Sequence, residues 1–360
     1  MSVVQRANGR AEARIRRAWT GRPGVALRLA SAAYEAAAGA RNLMYDAGVF
    51  ASVQAPIPVV SIGGLTVGGS GKTPIAADVA ARLSAAGVRT AILTHGFDDE
   101  MNVHRQLAPK ARVYGARDRE ALAHRAAEEG ADIAILDSGF QRRRLHRDLD
   151  VVTLDEHSLV DNPAHLPAGP FREGMAALRR ADLVVVVRRH SEDEEPLAGR
   201  DIKPADGFDL RLQALQEVDG APPFVSARIV PGALVAANEL ARETHTPRPS
   251  LAVAGIMWPD LFFAQAGRLS GLEPQTVGLP DHARIDRALS QSLRDMAGDS
   301  GIVCTLKDSM KLVSALGDAV PIWYLSENVV WEGSGTEPSI VRSCLGLLEP
   351  RAPDERSLLP

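Results

Sequence analysis

One stretch constrains this chain more than any other: Pro58–Ile75, reading PVVSIGGLTVGGSGKTPI. It opens on Val59-Val60-Ser61-Ile62, short and β-branched enough for a buried strand. A loop carrying five glycines follows and ends in Gly71-Lys72-Thr73. The next segment, Ile75 to Leu83, has helical apolar periodicity, with Pro74 near its start, where a missing N–H costs little. Strand, glycine loop, Gly-Lys-Thr and helix is the context that a phosphate-binding loop requires. Glycines let backbone N–H groups crowd around phosphate oxygens, and the helix N-terminus adds favourable partial charge. Thr66, Val67, Gly68, Gly69, Ser70, Gly71, Lys72 and Thr73 are the candidate phosphate contacts. Within them Lys72 reaches the terminal phosphates and the Thr73 hydroxyl holds Mg²⁺. One departure stands out: Thr66 occupies the position of the first glycine in GxxxxGK[ST]. The competing reading is an ordinary Gly-rich turn with a surface lysine.

Bulk properties narrow the field. The 360 residues are 45% hydrophobic, enough for a sizeable core and two domains. A net charge of −4 gives no global field for nucleic acid. Cys304 and Cys344 lie in apolar surroundings, which suits a reducing compartment without a disulfide framework. The N-terminus is polar and arginine-rich rather than a secretory signal. Between Arg14 and Tyr45 there are six arginines and one acid, Glu35. Leu29, Ala32, Ala33, Ala36, Ala40 and Leu43 recur at helical spacing there. This pattern fits a basic amphipathic helix resting on an anionic bilayer surface, or a helix packed on the protein's own core.

Further along, Arg89–Thr94 reads as a second strand, with His95–Glu100 as a loop at its C-terminal end, where ligands collect in parallel α/β sheets. Ile133-Ala134-Ile135-Leu136-Asp137 is an apolar strand ending in an acid, the pattern of a Walker B aspartate that meets the loop's magnesium. Arg142, Arg143 and Arg144 follow, and a rigid turn, Leu166–Glu173, presents Arg172; these arginines suit anionic substrate groups or solvent. Glu192–Pro204 is acidic and Pro-containing, the best linker. Strands at Ser250–Ile256, Gly301–Thr305 and Val320–Leu325 alternate with helices beyond it. The expected organisation is an N-terminal membrane-surface segment at 1–50, a nucleotide-binding core at 51–192, a linker at 193–230, a second α/β domain at 231–345 and a tail at 346–360.

In this order the motifs resemble the tetraacyldisaccharide 4′-kinase family. The resemblance runs from about Trp19 to about Leu325 and rests on GLTVGGSGKTP (Gly64–Pro74) and GFQRRRLHRDLDVV (Gly139–Val152). LPAGPFRE (Leu166–Glu173), the Gly255-Ile256 turn, Asp281-His282 and TLKD (Thr305–Asp308) add to it. The chain departs from the family pattern at several points. Thr94-His95-Gly96-Phe97 replaces Ser-Arg-Gly-Tyr, Asp98–Met101 stands for Gly-Asp-Glu-Pro, and Asp137-Ser138-Gly139 replaces Asp-Asp-Gly. The second Walker B acid is therefore missing.

The resemblance implies an α/β fold: a P-loop kinase-type parallel sheet flanked by helices, a second smaller α/β domain and an N-terminal amphipathic helix. It implies transfer of the ATP γ-phosphate, with Mg²⁺, to the 4′-hydroxyl of a lipid A disaccharide precursor at the cytoplasmic face of the inner membrane. It assigns the base to Asp99, tuned by His282, alongside Lys72, with Thr73 and Asp137 as metal ligands. Arg142, Arg143 and Arg172 become candidate substrate contacts. Two alternatives share the loop and the Walker B strand: a membrane-docked P-loop switch NTPase, and a catalytically weak relative of the kinase.

Overall fold

The computed structural model describes residues 19, 23–155, 162–189, 208–244, 246–257, 259–280, 283–333 and 338–349. The linker at Glu192–Pro204 and the Asp281-His282 pair fall outside this set.

The first half alternates strands and helices. Helix α1 (Val25–Asp46) precedes β1 (Val59–Gly64), α2 (Lys72–Ala85), β2 (Thr90–Thr94), α3 (Asp98–Leu107), β3 (Arg112–Gly115), α4 (Arg119–Glu128) and β4 (Ile133–Asp137). Strands β5 (Leu149–Asp155) and β6 (Leu183–Arg188) complete it. β1, β2 and β4 are buried at every residue. Helices cover both faces of such a sheet, so its strands are continuous apolar runs instead of alternating ones. Ile62, Ile75, Val79, Leu83, Ile92 and Ile135 form the core beneath α2.

The second half holds α5 (Phe208–Gln216), β7 (Phe224–Ala236), α6 (Glu239–Glu243), β8 (Leu251–Ala254), α7 (Pro259–Ser270) and β9 (Gln275–Gly278). It ends with α8 (Arg287–Ala297), β10 (Ile302–Thr305), α9 (Leu306–Leu316), β11 (Ile322–Trp331) and α10 (Ser339–Gly346).

The eleven strands among the described residues form one sheet in the order β3-β2-β4-β1-β5-β6-β7-β11-β10-β8-β9. Every pairing is parallel except β7 with β11. That antiparallel seam joins the halves: β7 runs parallel to β6, and β11 runs parallel to β10. β7 begins inside the stretch expected to be linker, and β11 extends six residues past the Leu325 end expected for it, to Trp331. The bulge between Leu325 and Glu327 lets the pair bend there. Among the described residues no helix is long and apolar enough to cross a membrane.

Helix α1 lies outside the sheet, and its two sides have different fates. Its polar side is tied down: Ser31 Oγ donates to His165 O at 2.7 Å, Asn42 Nδ2 to Glu173 Oε2 at 2.6 Å, and Arg143 reaches Asn42 O and Asp46. Trp19 Nε1 donates to Pro167 O at 3.1 Å. Ser31 is the helix's buried residue, whereas Val25, Leu29 and Leu43 are about 70% exposed. At 100° per residue these apolar positions face away from Ser31 and Asn42. The apolar stripe is not spent on the protein's own core.

Buried Asn238 fixes one corner of the second half. It caps α6 through Ala241 N, accepts from Ile322 N, and donates to Gly317 O and Val320 O. Asn238→Ala leaves these buried groups unpaired and should cost about 2–4 kcal/mol in urea denaturation.

Candidate active site

The phosphate loop turns on glycines with left-handed backbone. Gly68 (φ 71°) and Gly69 (φ 72°) make the bend, and Gly71 (φ 77°) caps α2. A Cβ at Gly71 would also press on Val187 at 3.0 Å and Ile229 at 3.1 Å. The amides do not form one continuous cup. Val67 N is paired with Pro170 O at 2.9 Å and Ser70 N with Gly68 O at 2.9 Å. The N–H groups of Gly71, Lys72 and Thr73 occupy the first turn of α2, where no intrahelical acceptor exists. The anion-seeking end of the loop is therefore the helix start. Thr66 is buried and bridges Phe171, so the 165–173 segment runs beside the loop and brings Arg172 to it.

Lys72 Nζ donates to Ser70 Oγ at 2.9 Å. Ser70 Oγ is held in turn by Thr153 Oγ1 at 3.1 Å. Burial, then the Arg172 guanidinium, lowers the Lys72 ammonium to about 8 against the opposing pull of Asp137, Asp155 and Glu100. An anionic phosphate chain beside it would favour the charged ammonium again.

Thr73 Oγ1 donates to Asp137 Oδ2 at 3.0 Å, tying the helix start to the end of β4. His104 Nε2 lies 2.8 Å from the same oxygen, and Ser138 Oγ donates to Oδ1 at 3.2 Å. Burial pushes the Asp137 carboxyl up, but the His104 and Thr73 hydrogen bonds and the Lys72 charge outweigh it and hold it below its usual value. A hydroxyl and an ionised carboxylate are the hard oxygen donors that magnesium takes from a protein when phosphates and water supply the rest. These residues fit the ion. No cluster of three metal-ligating side chains exists among the described residues.

A cavity of about 810 Å³ opens over this arrangement. The nucleotide half lines it with Val67–Gly69, Gly71–Thr73, His95, Glu100, Ser138, Asp155 and Arg172. The second half closes it with Ile256, Met257, Phe262, Gln265 and Thr305–Lys307. Below it, Asp308 accepts from Gly255 N at 2.7 Å and caps α9 with Thr305.

The other expected site residues are distributed unevenly. Asp99 sits in the first turn of α3, buried, with Oδ2 2.7 Å from Lys311 Nζ on α9. It lies behind the cavity wall, where its neighbour Glu100 is exposed to the space instead. Of the three arginines, only Arg172 lines the cavity. Arg143 stacks on Tyr45 and pairs with Asp46, and Arg142 bonds to Arg117 O. His282 lies outside the described residues.

Several side chains here went unread in the sequence. Asp155 ends β5 as Asp137 ends β4, so the same apolar-run-then-acid signal was available. Arg119 is 2% exposed with Nη1 unpartnered, and burial with the Arg142 charge brings it to about 10. Nothing in its local sequence marks it. His104 and Lys311 lie on helices, and only packing brings them to Asp137 and Asp99.

The family model for LpxK, tetraacyldisaccharide-1-P 4′-kinase, matches residues 24–113 and 98–343. A tetraacyldisaccharide 4′-kinase of Anaeromyxobacter sp. (strain Fw109-5) is 38% identical over 322 residues, covering 80% of this chain and 82% of the relative. A Bdellovibrio bacteriovorus protein of the same name is 29% identical over 342 residues, covering 85% and 95%. The crystal structure of LpxK from Aquifex aeolicus in complex with ATP superposes with a TM-score of 0.63 at 24% identity, covering 88% of this chain and 97% of that one. A family match across both halves, and a relative 38% identical over 80% of this chain and 82% of its own length, mean that the chain belongs to the tetraacyldisaccharide 4′-kinase family.

Proposed function

We propose that this chain transfers the γ-phosphate of ATP to the 4′-hydroxyl of a tetraacyldisaccharide 1-phosphate, a step of lipid A biosynthesis. The observation that carries the reading is Lys72 and Thr73 at an open helix N-terminus on the wall of a cavity lined by both halves, with the buried Asp137 bonded to Thr73 directly behind it. The switch-NTPase alternative accounts for the loop and the Walker B strand but not for the match through residue 343.

The β- and γ-phosphates rest on the N–H groups of Gly71, Lys72 and Thr73. Lys72 and Arg172 neutralise charge on the transferring phosphoryl group, which has no covalent help from the protein. Thr73 with Asp137 would hold magnesium, which would supply further neutralisation of the phosphate charge. The acceptor is a sugar hydroxyl, which needs a base as attack proceeds. We assign that base to Asp99 on its motif, with His282 as its partner. Lys311 now occupies the Asp99 carboxylate, so the acceptor hydroxyl must take its place. Glu100 is the second reading, favoured by its position on the cavity wall. Arg172 takes the anion contact, while Arg143 is committed to docking α1.

We further propose that α1 rests on the anionic cytoplasmic surface of the inner membrane. Val25, Leu29 and Leu43 are exposed on one stripe, and Val49, Phe50 and Val53 extend it past the helix end. The acyl chains of the substrate would then stay in the bilayer while the sugar enters the cavity.

Three sets of variants test these assignments. Transfer of label from γ-labelled ATP to the disaccharide 1-phosphate should fall at least ~10²-fold in Lys72→Met. Hydrolysis of nucleotide at full rate without acceptor would instead support the switch reading. The same variant should raise the stability of the unliganded protein at pH 7, by no more than about 3 kcal/mol. The native pKa near 8 lies below the ordinary value of 10.5, so the burial penalty is complete below pH 8. It fades between those values and is gone above them. Asp99→Asn should cost ~10²–10⁴-fold in kcat and Glu100→Gln less than about tenfold, with the reverse order moving the base to Glu100. Leu29→Glu with Leu43→Glu should cut co-sedimentation with phosphatidylglycerol vesicles by about tenfold or more, leaving ATP binding unchanged.

A further inference from the structure

His104 is fully buried in the body of α3, and the acid it meets, Asp137, is 3% exposed. Its Nε2 makes a 2.8 Å hydrogen bond to Asp137 Oδ2, while its Nδ1 has no partner. The ring's one directional contact is thus the Walker B carboxylate. Thr73 Oγ1 donates to that same Oδ2 at 3.0 Å. Two donors on one oxygen occupy both of its in-plane lone pairs. Oδ1 carries only the longer 3.2 Å bond from Ser138 and keeps acceptor capacity.

Position 138 sharpens the point. A second carboxylate there would share the cation and tolerate some freedom in the first. With serine at 138, the end of β4 offers one carboxylate, so the orientation of that carboxylate carries more of the metal's affinity. Outer groups that orient a ligand are worth about 10–100-fold in metal affinity.

We infer that His104 is a positioning residue for the magnesium site: with Thr73 it saturates Asp137 Oδ2, so the chain's one Walker B acid presents Oδ1 to the cation at the triphosphate. The inference rests on the proposed reading of Asp137 as a magnesium ligand.

The test is a titration of Mn²⁺, read by the free-ion electron paramagnetic resonance signal, into the full chain with adenylyl imidodiphosphate. His104→Leu, and His104→Phe as the variant that keeps ring volume, should weaken Mn²⁺ by about 10–100-fold while retaining a cooperative melt. His104→Gln, which restores an N–H donor at about the reach of Nε2, should recover most of that loss. Adding Ser138→Asp to His104→Leu should also recover it. Ser138 has φ 60°, a conformation that aspartate accepts more readily than most residues, so the second acid can be installed without new strain. In kinetics, half-saturating Mg²⁺ should rise in His104→Leu and fall again in the double variant. Mn²⁺ affinity in folded His104→Leu or His104→Phe within about twofold of wild type, with binding lost in Asp137→Asn, overturns the role of His104 alone. Unchanged binding in Asp137→Asn as well overturns the metal assignment beneath it. Failure of both His104→Gln and the added Ser138→Asp to recover affinity would reduce His104 to a packing residue and so also overturn the inference.

Discussion

The 3.0 Å hydrogen bond between Thr73 and Asp137 is the tie on which the site depends. It joins the first turn of α2 to the end of β4, two elements that share no local sequence. β1 and β4 are parallel neighbours in register from Val59↔Ala134 to Ile62↔Asp137, so the strand that launches the loop and the strand that delivers the acid end side by side. Without that register the lysine, threonine and aspartate would not converge, whatever the loop's own conformation. Thr153 on β5 supports the opposite side, holding Ser70 and through it Lys72. The loop is thus clamped by strands on both sides of β1, which is where a ligand crevice forms in a parallel sheet.

That clamp explains which parts were legible in the sequence. The β1 run, the glycine loop, α2 and the Asp137 strand are each written locally: apolar β-branched residues, glycines at positive φ, helical periodicity and a terminal acid. Residues 98–107 were not. DDEMNVHRQL carries three acids at its start and few apolar residues, and its first three residues fall in the His95–Glu100 stretch read as a loop. In the fold those acids sit in a helix's first turn, where they are favoured by the dipole, and Val103 and His104 turn inward. His104 stayed hidden because so few apolar residues show no helical period, and a histidine without one has no defined face. Arg142 and Arg143 are ambiguous in another way. A run of arginines signals an anion, but here the nearest acceptors are Asn42 O, Asp46 and Arg117 O. Composition cannot tell a substrate contact from a helix dock.

Long-range pairing is equally silent in the sequence. A linker followed by a second domain leaves the pairing between the halves open, and β7 with β11 stitches them into one sheet. The ladder of that seam is broken at one point, the bulge at Leu325/Glu327. Above the seam, contacts of another kind bridge the halves: Gln106 Nε2 donates to Tyr324 Oη at 2.6 Å, and Lys311 pairs with Asp99 at 2.7 Å. Hydrogen bonds and an ion pair exchange partners more readily than a β ladder does, so α3 against α9 is where the halves can re-sort their contacts while the sheet stays whole.

The same economy applies at the outer edge. The 165–173 segment touches the loop on one side, through Val67 N to Pro170 O and the Thr66–Phe171 bridge, and α1 on the other, through Ser31 to His165 O and Asn42 to Glu173. A helix lying on a lipid surface would move little relative to that surface, and this segment would pass its orientation to the phosphate loop through two layers of direct contact. The exposed stripe of α1 and the mouth of the cavity are then fixed with respect to each other by hydrogen bonds whose partners are partly buried. For an acceptor whose acyl chains stay in lipid, such a coupling decides the height at which its sugar meets the nucleotide, and it requires no moving part.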